Sequence, residues 1–406
     1  MTTTGETVDR QATEEARAAR CAACGDEGLD AFYEVDAIPT QSCVLLDTES
    51  EATAYPVGDL LLALCHQCGF IQNVRFEPGL VDYSKPTEES QAFSGRFQAF
   101  AGELATRLVE RHGLVGGSVL EVGCGKGDFM RLLSDRGVSS GVGIDPGFLS
   151  GRVDGDSGEI RFVRDWYDER HLELTADLVL TRHLLEHVPN VGEFLSWLVA
   201  STRRTPGAPL FTEVPDVARV LKEGAFWDVY YEHCSYFTLG SLGRALRHAG
   251  LQVDELEMAF DDQYILASAV PSPGAGPHSA EEPVSAIVPM VASFANAAAR
   301  SRAAWQARIK DVIDGGGRVC IWGGGSKAVA FLTTLGLTDH AGRLLVVDIN
   351  THKQGKWLPG TQMPVSPPAR LASEPPQLVI PMNSVYVDEI RADVERMGLS
   401  PTVEPV

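Results

Sequence analysis

The run Tyr230-Tyr-Glu232-His233 puts a phenol, a carboxylate and an imidazole within four residues. An imidazole is a natural base near neutral pH, a carboxylate can orient or polarise it, and a phenol can donate to a developing oxyanion. That set suits removal of a proton next to a ketone, with the enolate oxygen held by a donor. The same letters also suit a packed aromatic loop with ordinary hydrogen bonds, and composition alone weighs the two evenly. Far upstream, Cys21-Ala-Ala-Cys24 and Cys65-His-Gln-Cys68 offer four thiolates, enough for one tetrahedral Zn²⁺ with no open position and hence a structural role. Gly25 and Gly69 follow the two pairs directly and suit tight turns. Buried free thiols or a redox pair are the alternatives, and Cys43 could enter the ligand set. His183-x-x-Glu186-His187 has the letters of a zinc-protease helix. It follows an apolar strand, however, where successive side chains alternate between faces. A loop walling a cofactor pocket is expected there instead, with His183 facing into it.

The stretch Val119–Phe129 runs from an apolar strand into Gly123, Gly125 and Gly127 and then a helical pattern. Glycines at a strand–helix junction let the backbone approach a nucleotide beside a helix N-terminus. A second strand ends at Asp145, the distance at which an acid reaches ribose hydroxyls in a βαβ unit. With Glu121 before the turn and Asp128 where a dinucleotide fingerprint wants a third glycine, the motif resembles motif I of class I S-adenosylmethionine (SAM) methyltransferases more than an NAD site. Asp165, after a short strand at 160–163, could accept from the adenine amino group; a surface loop acid is the alternative. Strands near 119–123, 142–145, 177–182 and 208–214 alternate with helical segments, and 252–270 reads as an antiparallel hairpin turning near Asp261-Asp262. A Pro/Gly-rich stretch from 271 and a long helix over 284–314 lead to a second strand–glycine–helix–strand–Asp unit, Val319–Lys327 and Leu344–Ile349.

The chain therefore reads as α/β, a class I methyltransferase Rossmann-like core flanked by a small N-terminal zinc module and a smaller C-terminal α/β lobe. The expected boundaries are a flexible tail (1–18), the zinc module (19–78), the core (79–270), a linker (271–283) and the C-terminal lobe (284–406). With 406 residues there is length for several cores. A net charge of −21 argues against a nucleic-acid backbone or an anionic membrane as partner. There is neither an 18-residue apolar run nor a signal-peptide core, so a cytoplasmic protein with reduced thiols is expected. Oligomeric state is not legible.

The joint occurrence of Cys21/24/65/68, the SAM motif, Tyr230-x-Glu232-His233 and Val347–Thr361 resembles the sugar C-methyltransferase family over nearly the whole chain beyond residue 18. In that family a nucleotide-bound 4-keto-deoxysugar is methylated at C3. The resemblance implies SAM as donor, His233 as base, Tyr230 and Glu232 as its support, and zinc on the four cysteines. It also implies that Tyr83 and Glu88-Glu89-Ser90 close over the SAM pocket. In the C-terminal lobe, Gly323-Gly-Gly-Ser326-Lys327 offers backbone N–H groups and a cation at a helix start, fit for a phosphate. His352 and Lys353 could add to it, and Asn383 lies at a strand end; a duplicated fold element without ligand is the alternative. The function expected is C-methylation of the carbon alpha to the ketone of a nucleotide-activated deoxysugar, in antibiotic or polysaccharide sugar biosynthesis. The runner-up is C- or O-methylation of a non-sugar natural-product intermediate.

Overall fold

The computed structural model describes residues 8–149, 159–272, 274–338 and 342–406. Three sheets carry the chain. The first is antiparallel, β1 (Asp30–Pro39), β2 (Val57–Leu64), β3 (Ile71–Asn73) and β9 (Ser235–Tyr236) in that order. The second has seven strands in the order β10 (Leu251–Ala259), β11 (Tyr264–Pro271), β8 (Leu210–Pro215), β7 (Leu178–Arg182), β4 (Ser118–Val122), β5 (Ser140–Ile144) and β6 (Glu159–Val163). Strands β4 to β8 are mutually parallel, and β11 enters antiparallel to β8. The third sheet is all parallel, β14 (Val365–Ser366), β13 (Leu344–Val347), β12 (Val319–Trp322), β15 (Leu378–Pro381) and β16 (Thr402–Val403). The five parallel strands of the second sheet and the five of the third share one winding, in which the first strand lies at the centre and the order reverses beside it. Ligands bind at such switch points, beyond the strand C-termini.

Local chemistry explains the helices around these sheets. Helix α3 (Gly95–His112) starts at Ser94, whose hydroxyl accepts from Phe97 N–H, and stops at Gly113 in the left-handed region (φ 63°). Helix α4 (Asp128–Ser134) follows the first glycine turn, and α5 (Val191–Thr202) covers the sheet with Leu195, Leu198 and Val199. Asp216 caps α6 (Val217–Glu223) and Thr238 caps α7 (Leu239–His248). Helix α8 (Val284–Asp314) is 31 residues long, about 46 Å at 1.5 Å per residue. Its buried Ile287, Val291, Phe294 and Ala298 recur at helical spacing and pack on the first sheet, with Phe294 edge-on to Tyr33 at 4.8 Å. Helices α9 (Ser326–Thr334) and α10 (Val387–Arg396) flank the third sheet.

One expectation about the chain's organisation needs correcting. The described part of the 1–18 segment is not a tail: α1 (Arg10–Ala18), capped by Asp9, buries Ala12 and Ala16 completely; residues 1–7 lie outside the described residues. The 271–283 linker is anchored at its C-terminal end, on α7. Glu281 is ion-paired with Arg247 at 2.7 Å, and Glu282 accepts from Gly240 N–H at 2.7 Å.

The cores also cross the boundaries read from sequence. One apolar cluster joins Leu60 and Leu62 of β2, Phe226 and Tyr231 of the segment between α6 and β9, Phe294 of α8 and Phe331 of α9. Gly58 is required there, because a Cβ would stand 2.4 Å from the Tyr231 ring. Near the short helix α2 (Glu49–Thr53), Gly360 N–H donates to Ala52 carbonyl (2.8 Å) and Trp357 N–H to Leu46 carbonyl (2.9 Å). Residues 347–361 therefore brace the N-terminal module against the C-terminal lobe. Among the described residues, no helix is long and apolar enough to cross a membrane.

Candidate active site

A single cavity of about 1250 Å³ lies at the C-terminal ends of β4 and β12 and is lined by both glycine turns. At the first turn Gly123, Gly125 and Gly127 take φ of 76°, 54° and 85°. A side chain at 123 would stand 2.8 Å from Leu184, so both conformation and space demand glycine. The turn is latched to Asp145: Gly125 N–H donates to Oδ2 (2.9 Å) and Gly147 N–H to Oδ1 (2.7 Å). Burial raises the Asp145 carboxyl above its usual range, against those two donors. Above the turn, Tyr83, Thr87, Glu89 and Ser90 line the same cavity. Glu89 pairs with buried Lys126 at 3.1 Å, and Lys126 also donates to Gly147 carbonyl (3.3 Å). Asp165 is not brought in. Its carboxylate is held by Arg170 at 3.0 Å and by Trp166 N–H at 2.8 Å, outside the lining, and the exposed Trp166 ring faces the cavity instead.

The strand ends behind this turn carry charge. Arg182 sits over the Phe129 ring at 4.0 Å and donates through Nε to Glu213 Oε2 (2.6 Å). His183, in the left-handed region at φ 49°, reaches Glu213 Oε1 at 2.9 Å and Glu186 Oε1 at 3.5 Å. Burial opposes charge on His183, but Glu213 and Glu186 outweigh it and push the imidazole up to about 9. Burial likewise disfavours the Glu213 carboxylate, yet Arg182 and His183 hold it down at about 2. His183 is thus an imidazolium locked in an ion cluster, a poor base. The buried atoms of this region without a hydrogen-bond partner include Glu121 Oε2, Arg182 Nη2 and Glu186 Oε2, and burial pushes Glu121 up to about 8.

His233 has the opposite environment. It is buried, with its ring 4.1 Å from Tyr230 and 4.7 Å from His187 between centroids. Desolvation, then the neighbouring His187, His183 and Lys327, hold its pKa well below the usual histidine value, so it is neutral. Glu232 is buried and accepts from Ser42 N–H (3.0 Å); burial raises its carboxyl. Tyr230 lines the cavity while its neighbour Tyr231 turns into the core, where its hydroxyl accepts from Glu77 N–H (2.8 Å). His187 was missed as a site residue in the sequence. Its Nδ1 lies 3.1 Å from Glu232 carbonyl, which can only accept, and 3.0 Å from the Tyr83 hydroxyl. The proton therefore belongs on Nδ1 and the lone pair on Nε2. The only sequence signal was a histidine one residue past Glu186, read as part of a wall.

The second turn repeats the latch of the first. Gly324 N–H donates to Asp348 Oδ2 (2.8 Å) and Asn350 N–H to Oδ1 (2.8 Å). Ser326, Lys327, Lys353 and Asn383 all line the cavity, each already engaged. Ser326 Oγ lies 3.3 Å from Cys43 Sγ, Lys327 pairs with Asp228 at 2.9 Å, and Lys353 with Asp348 at 3.6 Å. Asn383 exchanges two hydrogen bonds with the Gln263 amide, at 2.8 and 2.9 Å. Gln263 follows Phe260, Asp261 and Asp262, three successive residues at positive φ (52°, 53°, 57°), so a strained hairpin tip presents it. His352 lies against Phe93, outside the lining.

Away from the cavity, Cys21 and Cys68 Sγ are 3.6 Å apart and Cys24 and Cys65 Sγ 3.7 Å. Zn–S bonds of about 2.3 Å at tetrahedral angles put sulfurs about 3.8 Å apart, whereas a disulfide needs about 2.05 Å. The two pairs are built alike: Gly25 N–H donates to Cys21 carbonyl and Gly69 N–H to Cys65 carbonyl, both at 2.8 Å. The set fits a tetrahedral metal, and Cys43 lies elsewhere, at the cavity.

Comparisons with known proteins agree with this organisation. A family model described as a methyltransferase domain matches residues 94–256, and one described as a C-methyltransferase C-terminal domain matches residues 281–399. The chain is 28% identical over 389 residues to the C-methyltransferase NovU of Streptomyces niveus, spanning 91% of this chain and 90% of that one. Among solved structures it is similar to magnesium protoporphyrin IX methyltransferase from Synechocystis with bound SAH (18% identity, TM-score 0.33, 44% of this chain and 84% of that one). A methyltransferase in complex with the Haloferax volcanii Trm112 activator matches at 18% identity and TM-score 0.31, over 43% of this chain and 97% of that one. With a methyltransferase core and the C-terminal lobe found in C-methyltransferases on one chain, the protein belongs to the SAM-dependent C-methyltransferases.

Proposed function

We propose that this enzyme methylates the carbon alpha to the ketone of a nucleotide-activated 4-keto-deoxysugar. The observation that carries the reading is the cavity itself. At about 1250 Å³ it exceeds the roughly 300–1,000 Å³ of a pocket for one small ligand, and it joins both glycine turns to His233. The donor's ribose diol suits Asp145, and its zwitterionic amino-acid end suits the unpartnered Glu121 Oε2 and Arg182 Nη2. Once bound, the sulfonium supplies an electrophilic methyl group. Neutral His233 takes the alpha proton, and the C–H electron pair moves into an enolate. Tyr230 donates to the enolate oxygen, Glu232 holds the loop through Ser42, and Tyr83 with His187 closes the wall. Lys353 and Lys327, compensated by Asp348 and Asp228, form the basic side that a diphosphate would share. Zinc on Cys21, Cys24, Cys65 and Cys68 would hold the module that carries Ser42 and Cys43, with no part in the reaction.

The direct test is the product. With SAM and a nucleotide-linked 4-keto-deoxysugar, NMR should show a new carbon-bound methyl group, and the corresponding 4-hydroxy sugar should not react. Methylation of the hydroxy sugar on oxygen would overturn the reading.

A further inference from the structure

The letters His183-x-x-Glu186-His187 do not make a metal site together, because His183 is spent in the ion cluster with Glu213. The fold nevertheless assembles a different set. Leu185, Glu186 and His187 form one 3₁₀ turn after β7, and the 226–237 segment brings His233 against it. One ligand atom from each of Glu186, His187 and His233 lies within 4.8 Å of the others. Two imidazoles and a carboxylate with open positions are the donor set that borderline divalent metals take. Two further observations favour occupancy. Glu186 is buried, and its Oε2 has no hydrogen-bond partner, a costly state that a cation would relieve. The His187 Nδ1 contact to Glu232 carbonyl is the outer-sphere arrangement that metal-binding histidines use, leaving Nε2 with its lone pair. Zn–N bonds of about 2.1 Å place tetrahedral ligand atoms about 3.4 Å apart, so shifts of about an ångström close the set.

We propose that Glu186, His187 and His233 form a second metal site, for a divalent transition-metal ion such as Zn²⁺ or Co²⁺, whose occupation silences the enzyme. A metal on His233 takes the lone pair that proton removal needs. The silencing rests on His233 being the base, as proposed above; the binding does not.

The test titrates Co²⁺ into protein already carrying zinc on its cysteines, without acceptor. Thiolate-bound cobalt absorbs by ligand-to-metal charge transfer and imidazole–carboxylate cobalt does not, which tells the two sites apart. The expected result is a second equivalent with weak visible d–d absorption. Glu186→Gln and His187→Gln should each weaken it at least about tenfold. Circular dichroism and the midpoint of urea unfolding check that both variants are folded. Absence of a second equivalent, or binding unaffected by either variant, would overturn the site. The silencing is read separately, as loss of donor-free exchange of the acceptor's alpha proton with D₂O in step with the d–d band. Cobalt-loaded protein that exchanges at the full rate would overturn the silencing and leave the site standing.

Discussion

Two units of this chain are built on one plan and furnished differently. In each, a central strand ends in a glycine turn, and an aspartate from the neighbouring strand catches a turn amide with one oxygen and a later backbone amide with the other. The first turn needs three left-handed glycines, and its aspartate lies beside a stretch of backbone open to a ligand. At the second, Gly325 is extended (φ −127°) and caps α9 directly, while Lys353 stands over Gly325 and against Asp348. The following strand ends differ as well: Arg182-His183 in an ion cluster on one side, Met382-Asn383 in an amide pair on the other. A latched aspartate therefore does not by itself specify a nucleoside diol. The charge placed beside it decides whether it offers an acceptor or steadies a lysine.

Five substitutions test that contrast, in order of decreasing effect. Asp145→Ala should weaken donor binding by roughly 100-fold or more in calorimetry, since two charge-assisted hydrogen bonds are lost. Asp348→Ala should leave donor binding unchanged; equal losses in both would mean that the units do the same job. Lys353→Met should raise the KM for a nucleotide-linked acceptor about tenfold and leave donor affinity alone. A KM that did not move would remove Lys353 from the acceptor side. Gly123→Ala should cost about 2–3 kcal/mol in urea unfolding, because it meets Leu184 at 2.8 Å and φ is 76°. Gly323→Ala, with φ of 110° but an uncrowded 3.5 Å to Met382, should cost about 1–2 kcal/mol from the backbone strain alone.

The smallest effect concerns pH. His183 is raised to about 9, so its stabilisation is complete below its ordinary value of 6.5 and is lost as pH rises through about 9. Glu213 is lowered to about 2, so its contribution is present above 4.5 and lost only as pH falls through about 2. Stability should therefore decline by on the order of 1 kcal/mol between neutrality and pH 9, and His183→Gln should flatten that slope. An unchanged slope would place the imidazolium elsewhere.

What the sequence carried and what it hid follow from the range of the interactions. Gly123–Gly127 and Asp145 are legible because backbone conformation and a short βα spacing fix them locally, and the same holds for the two cysteine knuckles. The helix over 284–314 is legible as a helix, but not as the strut joining the N-terminal module to the third sheet, since that depends on Tyr33 and Phe331 meeting its neighbourhood from far away. Asp165 looks like an adenine partner until Arg170, five residues on, takes it. His187 gains meaning only when residues 226–237 fold back over β7. Lys327 and Lys353 read as free cations, and only the tertiary structure supplies Asp228 and Asp348.

The central claim is that neutral, buried His233 makes a carbanion in a cavity shared by donor and acceptor. It is tested most directly by NMR of a nucleotide-linked 4-keto-deoxysugar in D₂O with enzyme and no SAM. The account predicts exchange of the proton alpha to the ketone, lost by roughly 100-fold or more in His233→Gln, whose donor binding stays intact. Exchange at the full rate in that variant, or methyl transfer without any exchange in the native enzyme, would contradict it.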